Sequence, residues 1–223
     1  MQLNGEELTV KRILLFILGL FIMAFGVSFS IVSTLGTTPI SSIAYALVLI
    51  TNIDIGITTF VFNAALILLQ FLILRSRFHK KRLLQLINCV VFGYFNTLAL
   101  AVVSQIPFDG SVLMMAVFLI VSIFMIAFGI FVYMPANIAP LPGEGCVEAV
   151  AIVTGWRFST IKIGFDATMV AIALLMCWLW YATPFGAVNI GTVISAFMVG
   201  FTLRQINNIY AHITGKPVNM VHK

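Results

Sequence analysis

Long apolar runs without charged residues alternate with short polar segments along the whole chain. A helix needs about 20 apolar residues to cross a bilayer. Six runs approach that length, and we predict a membrane-spanning helix for each, although the last run needs its flanking residues to cross completely. The six runs are residues 13–29, 55–74, 83–104, 112–134, 163–182 and 190–203.

Two further apolar runs, residues 39–52 and 142–156, are too short to cross. A helix of about 14 residues extends about 20 Å, whereas the hydrocarbon core is about 30 Å thick. Each run opens with a proline, Pro39 or Pro142, a residue favoured at the start of a helix. We therefore predict two half-helices, each of which returns to the membrane face from which it entered.

The segments before these half-helices do not favour a helix. Residues 27–34 alternate apolar and small polar side chains, and residues 135–142 contain three prolines. We predict extended backbone that dips towards the midplane in both segments. Such backbone is tolerated at membrane depth only inside protein or beside a wet cavity.

Composition agrees with a membrane location. Hydrophobic residues make up 61% and charged residues 9% of the 223 positions, whereas soluble domains have about 25% charged residues. We therefore predict an all-α polytopic membrane protein that forms a single transmembrane domain. The net charge of +5 is assigned to cytoplasmic loops and not to nucleic-acid binding.

No catalytic, metal-binding or cofactor motif emerges from the sequence. The three cysteines, Cys89, Cys146 and Cys177, lie in apolar runs without the spacing of metal ligands. We interpret them as core residues, and we expect neither a disulfide framework nor a zinc site. The sequence therefore does not point to an enzyme.

Basic residues set the expected orientation. The loop 75–82 is rich in Lys and Arg, which predicts a cytoplasmic location. Lys11 and Arg12 lie on the same side of the membrane as this loop only if residues 39–52 form a half-helix. Both termini are then cytoplasmic, and Asp54 and Asp109 lie outside. The same orientation places five further basic residues in the cytoplasm: Arg157, Lys162, Arg204, Lys216 and Lys223.

The chain matches itself at an offset of 103 residues, the difference between Gly129 and Gly26. FIMAFGVSF lies over FMIAFGIFV, and Pro39 lies over Pro142. The two repeats cover about 13–105 and 112–210. Because each contains three crossings, the second must be inverted, an arrangement typical of transporters and channels. The alternative is a duplicated membrane scaffold without a substrate path.

Six polar residues in apolar surroundings are the candidate substrate-binding residues: Ser41, Tyr45, Asn63, Glu144, Glu148 and Asp166. The offset of 103 pairs each residue of the first repeat with an acid of the second. An ionisable group at mid-depth costs at least about 2.5 kcal/mol unless it is compensated, so a functional role is the default interpretation.

Each acid also has a structural alternative. Glu144 lies in the first turn of its half-helix, where a carboxylate offsets the helix dipole. Glu148 can form an ion pair with Arg157 or Lys162. Asp166 can pair with Lys162, which precedes it by four residues.

Four segments carry a resemblance to a known family: GVSFSIVSTLGTTPISS, LPGEG, KIGFDATMV and GTVISAFMVG. Over residues 12–204 the chain resembles the YczE/YyaS/YitT family of bacterial integral membrane proteins, and the YczE-like branch in particular. The resemblance implies a multi-pass protein of the bacterial plasma membrane. It brings no catalytic or binding residue with it.

The repeat and the buried acids favour a small secondary transporter or channel with a midplane site between the half-helices. Its substrate would be a small polar or charged solute, with a proton as a candidate coupling ion at Glu148 or Asp166. Two alternatives stay open: a subunit that captures a solute for a multi-component importer, and a scaffold without transport. The expected partners are the lipid bilayer and the solute, and the sequence leaves a homo-oligomer open.

Overall fold

A computed structural model of the chain describes residues 2–3, 6–7, 9–136, 138–181 and 187–215. Within these ranges the chain forms eight α-helices and a minimal antiparallel pair of strands, β1 (Gln2–Leu3) and β2 (Glu6–Glu7). The helices are α1 (Val10–Val32), α2 (Pro39–Thr51), α3 (Ile55–Leu74), α4 (Gln85–Val103), α5 (Val112–Tyr133), α6 (Pro142–Thr154), α7 (Phe158–Tyr181) and α8 (Ile190–Thr214). Lys216 and Lys223 lie outside the described residues.

Helix length separates membrane spans from half-helices. Among the described residues, α1, α3, α4, α5 and α7 are long and apolar enough to cross a membrane. Helix α8 has 25 residues, but its second half is polar and includes Arg204. The two short helices have 13 residues each and begin at Pro39 and Pro142, as predicted. The predicted all-helical membrane fold is therefore confirmed.

The predicted extended segment at residues 27–34 is wrong, because α1 continues to Val32. Small polar side chains bond to helix carbonyls: Ser28 donates to the Ala24 carbonyl at 3.0 Å within α1, and Ser33, just past its end, donates to that of Ser30 at 2.7 Å. Only residues 33–38 leave the helix before α2 begins. The second segment is closer to the prediction, with a 3₁₀ turn at Met134–Ala136 before the irregular residues 138–141.

Helices α1 and α5 run antiparallel in close contact along their whole length. Near one end, the Arg12 guanidinium donates to the Ala136 carbonyl through Nε at 3.0 Å. At the other end, the rings of Phe29 and Phe118 lie 5.2 Å apart. As residue numbers rise along α1, those of their partners in α5 fall, so the first helices of the two halves point in opposite directions.

The remaining helix contacts have the same pattern in both halves. Helix α1 packs against α4, and α5 packs against α8. Half-helix α2 packs against α7, and half-helix α6 packs against α3. If α1, α2, α3 and α4 change places with α5, α6, α7 and α8 in that order, the contact of α1 with α4 becomes that of α5 with α8. The contact of α2 with α7 likewise becomes that of α6 with α3. Each half-helix therefore lies against a long helix of the opposite half.

Candidate functional site

The first turns of the two half-helices meet. A Cβ atom added to Gly143 would lie only 2.6 Å from Ile40 Cδ1, so the contact depends on the missing side chain. Beside it lies a cavity of about 600 Å³, a volume that includes space open to the outside. Its enclosed part holds only a few water molecules. We call it the central cavity, and its polar lining residues are Thr38, Ser41, Thr59, Asn63, Glu144, Lys162 and Asp166.

Local sequence fixes the ends of the half-helices and thereby places this cavity. Thr38 caps α2, its Oγ1 accepting the Ser41 N–H at 3.4 Å. The helices end at Asn52 and Gly155, whose φ angles of 56° and 73° lie in the left-handed region. Glycine and asparagine adopt this region more readily than other residues, so both helices stop after about three to four turns.

Three charged side chains are buried together at the central cavity. Lys162 Nζ lies 2.7 Å from Asp166 Oδ1 and 4.0 Å from Glu144 Oε1. Glu144, Lys162 and Asp166 are only 2%, 4% and 1% exposed. The group holds two carboxylates and one ammonium, and Glu144 also lies in the first turn of α6, where the helix dipole favours a negative charge.

Lys162 is therefore buried within the bundle and does not lie in a solvated loop, whereas the membrane face at which α7 begins stays a prediction. This residue lies within α7, whose four-residue spacing sets its ammonium against Asp166, and burial makes that partner necessary. The alternative considered for Asp166, an ion pair with Lys162, is the arrangement that forms. Both residues nevertheless line the cavity, so pairing and contact with a solute are compatible.

Asn63 is a polar group without a partner at the same cavity. Its side chain is 5% exposed and makes no hydrogen bond to any residue in the described ranges. The offset of 103 pairs it with Asp166, which lines the same cavity. A buried amide usually finds a hydrogen-bond partner, so Asn63 is available to a solute or to water.

Tyr133 also belongs to the surroundings of Glu144. It is 1% exposed, its hydroxyl accepts the Leu141 N–H at 3.4 Å, and the same hydroxyl interacts with the Glu144 carboxylate. Sequence reasoning missed this residue because Tyr133 lies at the end of a long apolar run, where tyrosine is common at the membrane interface.

Tyr45 and Glu148 do not line the central cavity. Tyr45 packs beside a small apolar cluster of Ala46, Cys177 and Ala187. Glu148 Oε2 instead lies 3.1 Å from the Arg82 guanidinium. This arginine was not among the partners expected for Glu148.

Arg82 joins a polar network that holds α6 in place. Its NH1 donates to Gln70 Oε1 at 3.3 Å, and the amides of Gln70 and Gln85 bond to each other at 2.8 and 3.1 Å. Gln70 also donates to the Pro142 carbonyl at 3.2 Å. The last residue of the predicted basic loop therefore points into the protein and pairs with a half-helix.

We expect Arg82→Gln to lower the free energy of unfolding by about 2 kcal/mol, because Glu148 then loses a charged hydrogen-bond partner. Arg77→Gln is the matched control, since Arg77 is exposed in the same loop and should leave stability unchanged. Thermal unfolding of the purified protein in detergent measures both variants. Equal melting temperatures for the two variants would show that the ion pair does not stabilise the fold.

Long apolar helices, two half-helices and a cluster of buried charges define a polytopic helical membrane protein with an internal polar site. The model of a family of unknown function (DUF6198) matches residues 10–208, and the chain belongs to that family. This confirms the predicted YczE-like family.

Two relatives match along most of their length. The chain is 25% identical over 196 residues to the "Uncharacterized membrane protein YczE" of Bacillus subtilis, covering 87% of this chain and 85% of the relative. It is 24% identical over 207 residues to an "Uncharacterized protein" of Haemophilus influenzae, covering 93% of this chain and 88% of the relative. No solved structure matches the chain.

Proposed function

We propose that this protein is a small secondary transporter or channel for a small polar or charged solute, with its site in the central cavity between the half-helices. The observation that carries the proposal is the convergence of two half-helix first turns on a cavity that contains buried charges. Half-helices that end at a substrate site near the midplane are a recurrent device of transporters.

We also propose that six spans and two half-helices form an inverted repeat. It is supported by the antiparallel contact of α1 with α5 and by the helix contacts that interchange between the halves. In such an architecture the two halves can rock around a fixed site and expose it to each side in turn. Helix α8 serves as the sixth span.

The contents of the cavity favour transport over a passive scaffold. A scaffold would have no need for buried charges at its centre, whose burial is unfavourable unless they are compensated. Four of the candidate residues line the cavity and are proposed to bind solute: Ser41, Asn63, Glu144 and Asp166. A proton is the proposed coupling ion at Asp166 or Glu144, and no catalysed reaction is part of the proposal.

The basic residues suggest the orientation of the transporter. Loop 75–82 and the start of α1 carry Lys and Arg, which are enriched on the cytoplasmic side. We place both termini in the cytoplasm and the protein in a bacterial plasma membrane. Capture of solute for an energised partner would use the same cavity, and co-purification of an ATPase would favour that alternative.

Flux into proteoliposomes tests the proposal. Proton movement is followed with an entrapped pH-sensitive dye under an imposed pH gradient, alone and with ammonium, acetate, chloride or glycine added. We expect flux above that of empty liposomes with at least one of these probes. Asp166→Asn and Asn63→Leu should reduce it about tenfold or more, the effect of losing one good contact of about 1.4 kcal/mol.

Glu148→Gln provides the matched control, because this acid lies four residues beyond Glu144 on the same half-helix but outside the cavity. A folded Glu148→Gln protein should keep its flux. Wild-type flux in Asp166→Asn and Asn63→Leu at every pH tested would mean that these residues are structural. Absence of flux for every probe would argue against the proposed transport of these solutes.

A further inference from the structure

A second, smaller cavity adjoins the central cavity. Its volume of about 260 Å³ includes space open to the outside, and its enclosed part has room for about one water molecule. It shares three lining residues with the central cavity: Val27, Ser41 and Thr59. From there it extends to Ser28 and Asn96. We call this second cavity the side path.

The side path leads towards one face of the helix bundle. Its other lining residues are Ile31 in the last turn of α1, Ile55 at the start of α3 and Leu100 in the last turn of α4. The start of α3 and the end of α4 lie opposite the loop that joins these helices, which is the basic loop 75–82. The side path therefore extends from the central cavity towards the face without the basic loop.

Asn96 places a polar group, unpaired within the described part of the chain, in the wall of the side path. This residue is 5% exposed, and its Oδ1 is buried without a hydrogen-bond partner among the described residues. An unsatisfied buried carbonyl oxygen is unfavourable. Ser28 already donates its hydroxyl hydrogen to Ala24, so its oxygen is left as an acceptor beside Asn96. Water or a polar solute in the side path would satisfy both.

The equivalent positions of the second half are packed with apolar side chains. At the offset of 103, Ser28 corresponds to Phe131 and Asn96 to Val199. Val199 is 3% exposed in the main hydrophobic cluster, and Phe131 packs against that cluster. The counterparts of Ile31, Ile55 and Leu100 belong to the same cluster: Met134, Phe158 and Leu203. The polar passage thus exists on one side of the pseudo-symmetric fold and is filled on the other.

We infer that water enters the central cavity from the face opposite loop 75–82, through a side path lined by Ser28, Thr59 and Asn96, and that polar solute follows this route when the path widens, while Phe131 and Leu203 close the equivalent route on the other face. The inference rests on the proposed function for its role as a substrate entrance. On this inference, the structure is one state of an alternating cycle, in which the central cavity is reached from the face opposite loop 75–82.

Cysteine accessibility tests the side path without requiring transport. Single cysteines replace Ser28, Asn96, Phe131 or Leu203 in a chain in which Cys89, Cys146 and Cys177 are changed to serine. A membrane-impermeant charged methanethiosulfonate is added to intact cells or to inside-out vesicles. Thiols left unmodified are then tagged with a polyethylene-glycol maleimide after denaturation and counted on a gel.

Three further single cysteines calibrate the labelling. Asp109→Cys and Arg77→Cys, both exposed, mark the two faces. Ile120→Cys, at a position 66% exposed on the outside of α5, reports the reactivity of a thiol that faces lipid. Each variant is first required to elute as the unmodified protein does in gel filtration. Ser28→Cys differs from the native side chain by one atom, so it reports on the path even if Asn96→Cys does not fold.

We expect Ser28→Cys and Asn96→Cys to react from the same side as Asp109→Cys, at least tenfold faster than Phe131→Cys, Leu203→Cys and Ile120→Cys. Reaction of Ser28→Cys no faster than Ile120→Cys would overturn the inference. Reaction from the side of Arg77→Cys, or equal reaction at Leu203→Cys, would also overturn it.

The labelling result and the flux result can fail separately. Labelling as expected without flux of any probe would retain the side path and reject the proposed transport. Flux with an unreactive Ser28→Cys would retain transport and place the entrance elsewhere.

Discussion

Replacing Lys162 with methionine is expected to lower the free energy of unfolding by about 3–5 kcal/mol, the usual effect of leaving a buried charge without its partner. Lys162 Nζ is in contact with Asp166 at 2.7 Å and lies 4.0 Å from Glu144. Methionine keeps the unbranched apolar stem and removes only the ammonium. Both carboxylates then face the cavity without the cation that compensates them.

Removing the charge of Asp166 instead should lower the free energy of unfolding by less, because Lys162 has two acidic neighbours. After Asp166→Asn, Glu144 remains to compensate the ammonium, and the new amide still accepts a hydrogen bond. We expect a loss of about 1–3 kcal/mol. The double variant Lys162→Met/Asp166→Leu should recover much of the loss of Lys162→Met, since apolar replacement of a whole buried pair is often close to neutral.

Unfolding by sodium dodecyl sulfate in mixed micelles, followed by fluorescence of the three tryptophans, measures this series. Arg204→Met is the matched control, since Arg204 is exposed on α8 and should change stability little. If Lys162→Met unfolds at the same detergent fraction as Arg204→Met, the buried ion pair does not stabilise the fold. If the double variant is less stable than Lys162→Met, the two charges do not act as a pair.

The half-helices could be predicted from sequence because their ends depend on local signals. A proline opens each one, and Asn52 or Gly155 closes it in a left-handed conformation. Length then excludes a full crossing. The segment at residues 27–34 misled the prediction, because serine side chains in an apolar helix can bond to carbonyls of the preceding turn and need no extended backbone.

Some of the residues that line the cavity could be predicted from the sequence. The offset of 103 brought Asn63 and Asp166 together as equivalents, and both line the cavity. The partner of Glu148 was not accessible, because Arg82 lies in a different repeat and looked like a topology signal alone. Pairing across the bundle depends on where α3, α4 and α6 pack, which no local pattern contains.

Gly26→Ala and Gly129→Ala are expected to destabilise the protein by about 3 kcal/mol each, at the upper end of the usual range for overpacking. A Cβ on Gly129 would lie 2.8 Å from the Gly19 carbonyl oxygen, and one on Gly26 would lie 3.1 Å from that of Ser122. These are backbone atoms, which cannot rotate away as a side chain can. Helices α1 and α5 would have to separate, losing the close packing that holds membrane helices together.

Gly164→Ala separates this steric effect from the ordinary preference of helices for alanine. Gly164 is exposed on α7, with no atom within 4 Å of an added Cβ, so the change should be neutral or stabilise by up to about 1 kcal/mol. The same unfolding measurement applies to all three variants. The offset of 103 exchanges the Gly26–Ser122 contact with the Gly129–Gly19 contact. Losses of stability at both glycines would therefore support the proposed pseudo-two-fold relation between α1 and α5. A loss of stability at only one of the two glycines would mean that the two contacts do not contribute equally to the packing of α1 against α5.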